Sequence, residues 1–146
     1  MATVDMMLKN KGRAVFSLKP EATILDALKL MAEKEIGAVL VMEGDAVKGI
    51  FSERDYARRG ILAGKSEATP LKEVMTTRIF YVSPDQSAET CMAQMSDKHI
   101  RHLPVISENK VIGVISIGDV VKSIIKDKEL LITGLENYIL GQEHEQ

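Results

Sequence analysis

Two short stretches of the sequence place an aspartate three residues after a serine, directly behind an apolar run. They are Gly49–Asp55, which reads GIFSERD, and Gly113–Asp119, which reads GVISIGD. Each pattern predicts a strand that runs straight into the first turn of a helix. Unpaired N–H groups at a helix N-terminus bind phosphate, and an acidic side chain beside them can accept hydrogen bonds from ribose hydroxyls. Each stretch therefore indicates a nucleotide site.

The same spacing also has a purely structural explanation. Ser52 and Ser116 are favourable N-cap residues, and Asp55 and Asp119 stand where the acidic partner of a capping box stands. Such a cap contributes about 0.5–2 kcal/mol to the stability of a helix. A nucleotide-binding role requires in addition that the carboxylate face a cleft. The spacing by itself leaves both interpretations open.

Both stretches belong to a longer internal repeat with an offset of 64 residues. Aligning residues 16–56 with 80–120 needs no gap and gives 10 identical pairs in 41 positions. Unrelated segments of average composition would share roughly two or three. The identical pairs include Pro20 with Pro84 and Gly49 with Gly113. The chain is therefore one structural unit used twice.

Each repeat is predicted to fold as β-α-β-β-α. The predicted strands of the first repeat are Val15–Leu18, Gly37–Met42 and Val47–Phe51, and those of the second are Ile79–Val82, Leu103–Ile106 and Val111–Ile115. Thr23 caps the first helix of its repeat, and Gly60 ends the helix that begins at Ser52. A repeat of this length leaves one face of its sheet uncovered, so the two repeats should pack face to face. The predicted fold class is α/β, with domains 1–68 and 69–146.

Two further helices are predicted near the ends of the chain. Residues 5–11 form a short helix with Asp5 as its N-cap. The last helix carries a long apolar stripe, with a break near Gly134. The stripe comprises Val121, Ile124, Ile125, Leu131, Ile132, Leu135, Tyr138 and Ile139. Because this stripe exceeds what an intramolecular core needs, we expect a subunit contact there, and simple capping of the core is the alternative.

Composition narrows the classes of partner and site. The net charge of −2 gives no general attraction to nucleic acid or to an anionic membrane, so we expect neither as a partner. The single cysteine, Cys91, excludes an internal disulfide framework and a cysteine-based metal site. No apolar stretch approaches the roughly 18–20 residues that span a bilayer, and the N-terminus lacks the pattern of a secretory signal. We therefore expect a cytoplasmic protein.

The repeat and its Gly-h-h-Ser-x-x-Asp ending resemble a tandem pair of CBS (cystathionine β-synthase) domains over about residues 15–125. The most specific pieces are Phe51–Tyr56 (FSERDY) and Ile100–Val105 (IRHLPV). Together with Leu135–Ile139 (LENYI), they are similar to small stand-alone bacterial CBS-pair proteins. The resemblance implies a pseudo-twofold module, called a Bateman module, that usually dimerises. Such modules bind AMP, ADP, ATP, S-adenosylmethionine or NAD(H) in two clefts between the repeats.

The resemblance further implies that each cleft joins the Ser/Asp end of one repeat to the strand start of the other, with the aspartate facing the cleft. One cleft would contain Thr23, Ile36, Gly37, Ala38, Ser116, Gly118 and Asp119. The other would contain Ser52, Glu53, Arg54, Asp55, Ser87, Ile100, Arg101 and His102. Phe16 and Phe80, near the first strand of each repeat, are candidate walls for adenine, with ordinary core packing as the alternative.

These two implied clefts differ in charge. Arg54, Arg101 and His102 give the second cleft donors suited to phosphate, whereas the corresponding positions of the first are glycine or alanine. We therefore expect the second cleft to prefer a phosphate-bearing adenosine nucleotide. We expect the first to take a larger or less charged adenosine ligand, or none. Lys11 or Arg13, just before the first strand, could supply a cation to the first cleft.

The sequence thus predicts a sensor of adenosine nucleotides, with AMP as the favoured ligand, and not an enzyme. It offers no nucleophile with a base, no set of metal ligands and no Walker A loop. An unidentified regulated protein would read the change that the ligand induces, through its different affinity for the two states. The alternative is a structural adaptor with vestigial clefts, in which the C-terminal helix dimerises or docks a partner.

Overall fold

A computed structural model describes residues 2–144 of the chain, with side chains as far as residue 141. The described residues divide into two compact units. The first unit is Ala14–Phe80, and the second unit combines residues 2–13 with 81–144. These units differ from the predicted domains 1–68 and 69–146, which follow the repeat along the sequence, because the segment before each repeat packs outside that repeat.

Helices and strands follow the predicted β-α-β-β-α order in the first unit, and the same order without its first strand in the described residues of the second unit. In chain order they are α1 (Val4–Lys11), β1 (Ser17–Leu18), α2 (Ile24–Lys34), β2 (Ala38–Glu43), β3 (Ala46–Ser52), α3 (Glu53–Asp55), α4 (Ala88–Lys98), β4 (His102–Ser107), β5 (Lys110–Ser116) and α5 (Ile117–His144). Strand β2 pairs in parallel with β1 and antiparallel with β3, and β4 pairs antiparallel with β5. The predicted mixed α/β class with two repeats is confirmed.

An amphipathic helix covers a hairpin in the first unit. The buried cluster takes Ile24, Ala27 and Met31 from α2, Val39 and Val41 from β2, Phe51 from β3, and also Leu71 and Val74. The helical residues recur at three and four positions, as one buried face of a helix requires. Leu40, between Val39 and Val41, is buried as well, so both faces of β2 are covered. Equivalent positions are buried in the second unit, namely Ala88, Cys91, Met95, Leu103, Val105 and Ile115. The repeat in the sequence is thus a repeat of the buried residues.

Helix α1, which precedes the first repeat, packs in the second unit. The N–H of Val4 donates to the carbonyl of Gln86 at 2.9 Å. Leu8 is fully buried, and a β-carbon built on Gly113 would lie 2.6 Å from Leu8 Cδ2. Because real β-carbons do not approach another atom so closely, any residue other than glycine at this position of β5 would force the Leu8 side chain to move.

The segment before the second repeat makes the equivalent contacts in the first unit. The N–H of Leu71 donates at 2.8 Å to the carbonyl of Ala22, the residue 64 positions before Gln86. A β-carbon on Gly49 would lie 2.5 Å from Met75 Sδ and 2.9 Å from the carbonyl oxygen of Thr76. Each unit therefore contains one repeat together with the segment that precedes the other repeat.

Several predicted boundaries were wrong. Thr3 and not Asp5 is the N-cap of α1, since its hydroxyl accepts from the N–H of Met6 at 3.3 Å. The helix after β3 does not end at Gly60, but continues from Asp55 as a π-helical turn over Tyr56–Ile61, in which the N–H of Leu62 donates to the carbonyl of Ala57.

In the second unit, helix α5 runs without a break through Gly134, because one glycine costs only about 1 kcal/mol in a helix of this length. Of the predicted strand Ile79–Val82, the structure retains a single bridge between Val82 and Val105. In the first unit, residues Leu71–Glu73 form a single 3₁₀ turn.

We expect Gly49→Ala to lower the free energy of unfolding by about 1–3 kcal/mol, because the new methyl group meets backbone as well as the Met75 side chain. Gly118→Ala is the matched control, since its β-carbon would meet only Ser116 Oγ at an ordinary 3.5 Å. Urea denaturation of both variants measures the difference. Equal stability of Gly49→Ala and the unchanged protein would contradict this account of the hairpin glycine.

Candidate functional site

The Ser52/Asp55 pair lies where β3 passes into α3, and it forms a complete capping box. The N–H of Ser52 donates to Asp55 Oδ2 at 3.0 Å, and the N–H of Asp55 donates to Ser52 Oγ at 3.2 Å. The backbone of Ser52 is extended, which is the conformation that an N-cap residue requires. Asp55 is only 9% exposed.

Ser116 and Asp119 repeat this geometry where β5 passes into α5. The N–H of Ser116 donates to Asp119 Oδ2 at 2.8 Å, and the N–H of Asp119 donates to Ser116 Oγ at 3.2 Å. The structural explanation of the Ser-x-x-Asp spacing is therefore correct in both copies. It does not exclude a ligand, because a carboxylate has about four lone-pair sites and the cap uses only some of them.

The two aspartates differ in the additional partner that each one has. Thr76 Oγ1 donates to Asp55 Oδ1 at 2.8 Å, whereas Lys11 Nζ lies 2.6 Å from Asp119 Oδ2 and 3.0 Å from the carbonyl oxygen of Val114. The first contact is between a hydroxyl and a carboxylate, and the second is an ion pair. Lys11 was predicted as a possible cation for the Asp119 cleft, and the structure places it at that carboxylate.

Thr76 was not predicted, because nothing in its sequence neighbourhood distinguishes it from other polar residues of the connecting segment. Arg13, the other predicted cation, pairs instead with Asp5 at 2.8 Å.

The ion pair affects the protonation of Asp119. Burial acts to raise its pKa, but the hydrogen bond and charge of Lys11 and the two hydrogen bonds from Ser116 outweigh burial and hold the pKa below its ordinary value of 3.8. Asp119 is consequently a carboxylate at neutral pH. Its charge is compensated within the second unit, so a ligand there would meet a neutral pair and not an isolated anion.

The start of the hairpin lies beside its Ser/Asp end in each unit. In the first unit, Ala38 is paired with Ser52, and the N–H of Glu53 donates to the carbonyl of Gly37 at 3.1 Å. In the second unit, the equivalent contacts are His102 with Ser116 and the N–H of Ile117 with the carbonyl of Arg101, at 2.8 Å. The structure thus brings each predicted strand start together with the Ser/Asp end of its own repeat. The predicted pairing across repeats stays a prediction.

Four predicted residues have backbone or capping roles next to these strands. Thr23 Oγ1 accepts from the N–H of Asp26 at 3.2 Å, and Ser87 Oγ accepts from the N–H of Thr90 at 3.1 Å. The N–H groups of Ile36 and Ile100 donate to the carbonyls of Met31 and Met95, both at 3.0 Å. Each isoleucine follows a residue with positive φ, Glu35 or His99, which turns the chain from the helix into the strand.

The charged and aromatic candidates are accessible to different degrees. Arg54 and His102 are half-buried, and Glu53, Arg101 and Gly118 are exposed. Phe16 and Phe80 are half-buried and do not belong to the buried core. Lys34 Nζ lies 5.4 Å from the centroid of the Phe16 ring, and Arg78 Cζ lies 5.5 Å from that of Phe80. Both rings therefore have one cation–π partner, and their role as adenine walls stays a prediction.

Within residues 2–144, no group of three or more His, Cys, Asp and Glu side chains could hold a metal ion. In the same part of the chain, no helix is both long enough and apolar enough to cross a membrane. Cys91 is buried, and burial raises the pKa of its thiol to about 11.

A family model for the CBS domain matches residues 5–61 and 71–126. The chain belongs to the CBS-domain family. Its two matched segments are the two repeats, so the resemblance seen in the sequence is confirmed, and the Ser/Asp junctions above are those of a CBS pair.

Three similar proteins extend this comparison. The CBS domain-containing mitochondrial protein CBSX3 of Arabidopsis thaliana is 34% identical over 95% of this chain and 72% of its own length. A solved protein with CBS domains from Burkholderia ambifaria is 49% identical, with a TM-score of 0.83 over 86% of this chain and 96% of that one.

The third similar protein is known with ligands bound. The CBS domain pair of protein MJ0100, solved in complex with 5′-methylthioadenosine and S-adenosyl-L-methionine, has a TM-score of 0.75 at 20% identity. The match covers 88% of this chain and 98% of the MJ0100 pair. At this identity the likeness concerns the fold.

We expect Lys11→Met to lower the stability of this CBS pair at pH 7 by less than about 1 kcal/mol, because Lys11 is partly exposed and solvent screens the ion pair. Since the pKa of Asp119 is lowered on folding, the ion pair stabilises the protein above pH 3.8. That contribution is lost as the pH falls below 3.8 and through the lowered pKa that Asp119 has in the folded protein. The difference between Lys11→Met and the unchanged protein should therefore shrink in acid.

Urea denaturation at a series of pH values measures this difference. Lys9→Met is the control, because Lys9 pairs with Asp5 at 3.1 Å on a more exposed surface, and its effect should be smaller. A difference between Lys11→Met and the unchanged protein that is independent of pH would show that Lys11 acts through packing and not through Asp119.

Proposed function

We propose that this protein is a non-catalytic sensor that binds adenosine-containing nucleotides at two unequal sites. The observation that carries the proposal is the duplicated junction, in which a strand delivers a serine and an oriented aspartate to the start of a helix in both units. An adenosine ligand offers ribose hydroxyls, which can donate hydrogen bonds to a carboxylate. The adenosine ligands in the CBS pair of MJ0100 support this ligand class.

The unequal partners of the two aspartates support unequal ligands. At the Asp119 junction, Lys11 neutralises the carboxylate, so a ligand there would meet a neutral pair, which favours a less charged adenosine ligand. At the Asp55 junction, α3 is short, so phosphate recognition there would depend on the side chains predicted for that cleft, Arg54, Arg101 and His102. We propose AMP as the ligand of the Asp55 cleft, with ADP, ATP, NAD(H) and S-adenosylmethionine as the other candidates for either cleft.

Ligand binding would act through the contacts that the aspartates already make. A ribose whose hydroxyls donate to Asp119 competes with Lys11 for the same carboxylate, and one at Asp55 competes with Thr76. Because Lys11 belongs to α1 and Thr76 to the segment before the second repeat, either competition would change how those segments are held. A regulated partner protein, acting in the cytoplasm, would read this change through its different affinity for the two states.

The competing proposal is a structural adaptor with vestigial clefts. Two observations favour it, namely the almost complete burial of Asp55 among its capping partners and the large exposed apolar surface of α5. In an adaptor the Ser/Asp pairs would serve only as helix caps. The two proposals therefore differ in whether a nucleotide stabilises the protein.

A ligand at about 100 times its dissociation constant should stabilise the protein by roughly 2.7 kcal/mol, which raises Tm by about 5–10 °C for a domain of this size. We expect AMP to give such a shift. Asp55→Ala should abolish the shift from the ligand of the Asp55 junction, and Asp119→Ala the shift from the ligand of the Asp119 junction. The measurement is thermal unfolding with AMP, ADP, ATP, NAD, NADH and S-adenosylmethionine added singly.

Asp26→Ala is the matched control, because Asp26 forms the same capping box with Thr23 but is not a predicted ligand contact. It should lower Tm without altering the response to nucleotides. If no nucleotide shifts the Tm of the unchanged protein, the adaptor proposal replaces the sensor proposal.

We expect Arg101→Ala to weaken AMP binding by about 10- to 100-fold, since a hydrogen bond to a charged group contributes about 1.5–3 kcal/mol. Titration calorimetry with AMP, and with adenosine as the ligand without phosphate, measures the loss. Arg58→Ala, which removes an exposed arginine outside the predicted clefts, should bind AMP as the unchanged protein does. Equal AMP affinity of Arg101→Ala and the unchanged protein would remove Arg101 from the site.

A further inference from the structure

The C-terminal part of α5 presents an uncovered apolar surface. Val120 is buried, but every residue from Lys128 to Gly141 is exposed. Seven large apolar side chains in this part are at least half exposed, namely Leu130, Leu131, Ile132, Leu135, Tyr138, Ile139 and Leu140. A monomeric soluble protein rarely exposes a contiguous apolar surface of this kind.

Most of these side chains lie on one face of the helix. Ile125, Ile132 and Ile139 follow one another at intervals of seven residues, and Val121 and Leu135 alternate with them at intervals of three or four. We call these five residues the seam. Their spacing is that of a coiled coil, with a β-branched residue at every a position. Ile124, Leu131 and Tyr138 widen the seam on one side, whereas Leu130 projects from the far side of the helix.

A partner on the seam would stabilise the helical conformation of this segment. Gly134 and Gly141 each disfavour a helix by about 1 kcal/mol relative to alanine. Most helical stability in proteins comes from packing of the apolar face and not from helix propensity. Between Lys128 and Gly141, the chain itself provides little such packing, since every residue there is exposed.

The charges along α5 identify the occupant as a second copy of α5. Residues 117–128 contain three lysines and two aspartates, a net charge of +3 − 2 = +1, and residues 129–144 contain three glutamates and no lysine or arginine, a net charge of −3. In an antiparallel pair, the basic part of each helix lies against the acidic part of the other, and twofold symmetry makes this contact twice. A parallel pair would place the two acidic parts together, and an anionic membrane would repel them.

We propose that two copies of this chain associate through an antiparallel pair of α5 helices that buries the seam. When Ile125 lies opposite Leu135 of the second copy, Ile139 lies opposite Val121, and Ile132 lies opposite Lys128. Lys128 stands at a seam position, where its aliphatic stem can cover Ile132 of the second copy. Its ammonium group then reaches the side where the glutamates of the other helix lie. This arrangement is independent of nucleotide binding.

The first test compares two substitutions on the same turn of α5. We expect the unchanged protein to have twice its 16.1 kDa chain mass in light scattering at micromolar concentration. Ile132→Lys should reduce the mass to that of one chain, because the new ammonium group would face Lys128 of the second copy. Leu130→Lys should leave the mass unchanged, although Leu130 is the more exposed of the two (63% against 54%). A monomeric mass for the unchanged protein, or a dimeric mass for Ile132→Lys, would overturn the proposal.

The second test fixes the orientation and does not depend on the folding of a charged variant. Ile139→Cys mixed with Val121→Cys should form a disulfide-linked heterodimer under mild oxidation, and Ile139→Cys by itself should not. The native Cys91 should remain silent, because it is buried and its raised pKa keeps it a thiol. Efficient self-linking of Ile139→Cys would establish a parallel pair and overturn the antiparallel one.

Nucleotide thermal shifts on Ile132→Lys and on the unchanged protein separate this proposal from the sensor proposal. A monomeric Ile132→Lys that still responds to AMP supports both. An unchanged protein that is dimeric and responds to no nucleotide supports the pairing of α5 and removes the sensor function. Capture of α5 by a different protein in place of a second copy would show as a monomer in the pure protein, which counts against the pairing.

Discussion

The arrangement of each unit depends on the close approach of an apolar side chain to a hairpin glycine. Leu8 lies against Gly113 in the second unit, and Met75 lies against Gly49 in the first. A β-carbon at either glycine would occupy the space of that side chain, so the docked segment would have to shift if the glycine were replaced. The position of everything that follows in each docked segment is set by this contact.

The chemistry of the two junctions follows from what stands next to the docked residue. Thr76 comes directly after Met75 and reaches Asp55, whereas Lys11 lies one helical turn after Leu8 and reaches Asp119. The same fold therefore presents one carboxylate held by a hydroxyl and one held by an ammonium group. The two sites therefore differ already in the partner that the docked segment gives each aspartate. The difference between arginine and glycine at the strand starts is additional.

The sequence predicted the features that depend on local pattern. The 64-residue repeat, the caps at Thr23 and Ser52 and the hairpins all follow from period and spacing, and the structure has them. Features that depend on distant contacts were missed. The π turn through Gly60 was missed, because glycine permits a helix either to end or to continue. The placement of α1 in the second unit requires Leu8 to meet Gly113, which lies 105 residues further along the chain. The contact of Thr76 with Asp55 depends on the equivalent docking of Met75.

The exchange of the docked segments bears on how such a chain could arise and how it can be divided. A half chain that ended before residue 69 would carry α1 without its hairpin and a hairpin without Met75. An ancestral polypeptide with a single repeat could have closed this packing only by swapping segments between two molecules. Duplication and fusion of its gene would then have turned an exchange between molecules into one within a chain. A fragment of residues 14–80, which contains one whole unit, should therefore fold autonomously more readily than either half of the present sequence.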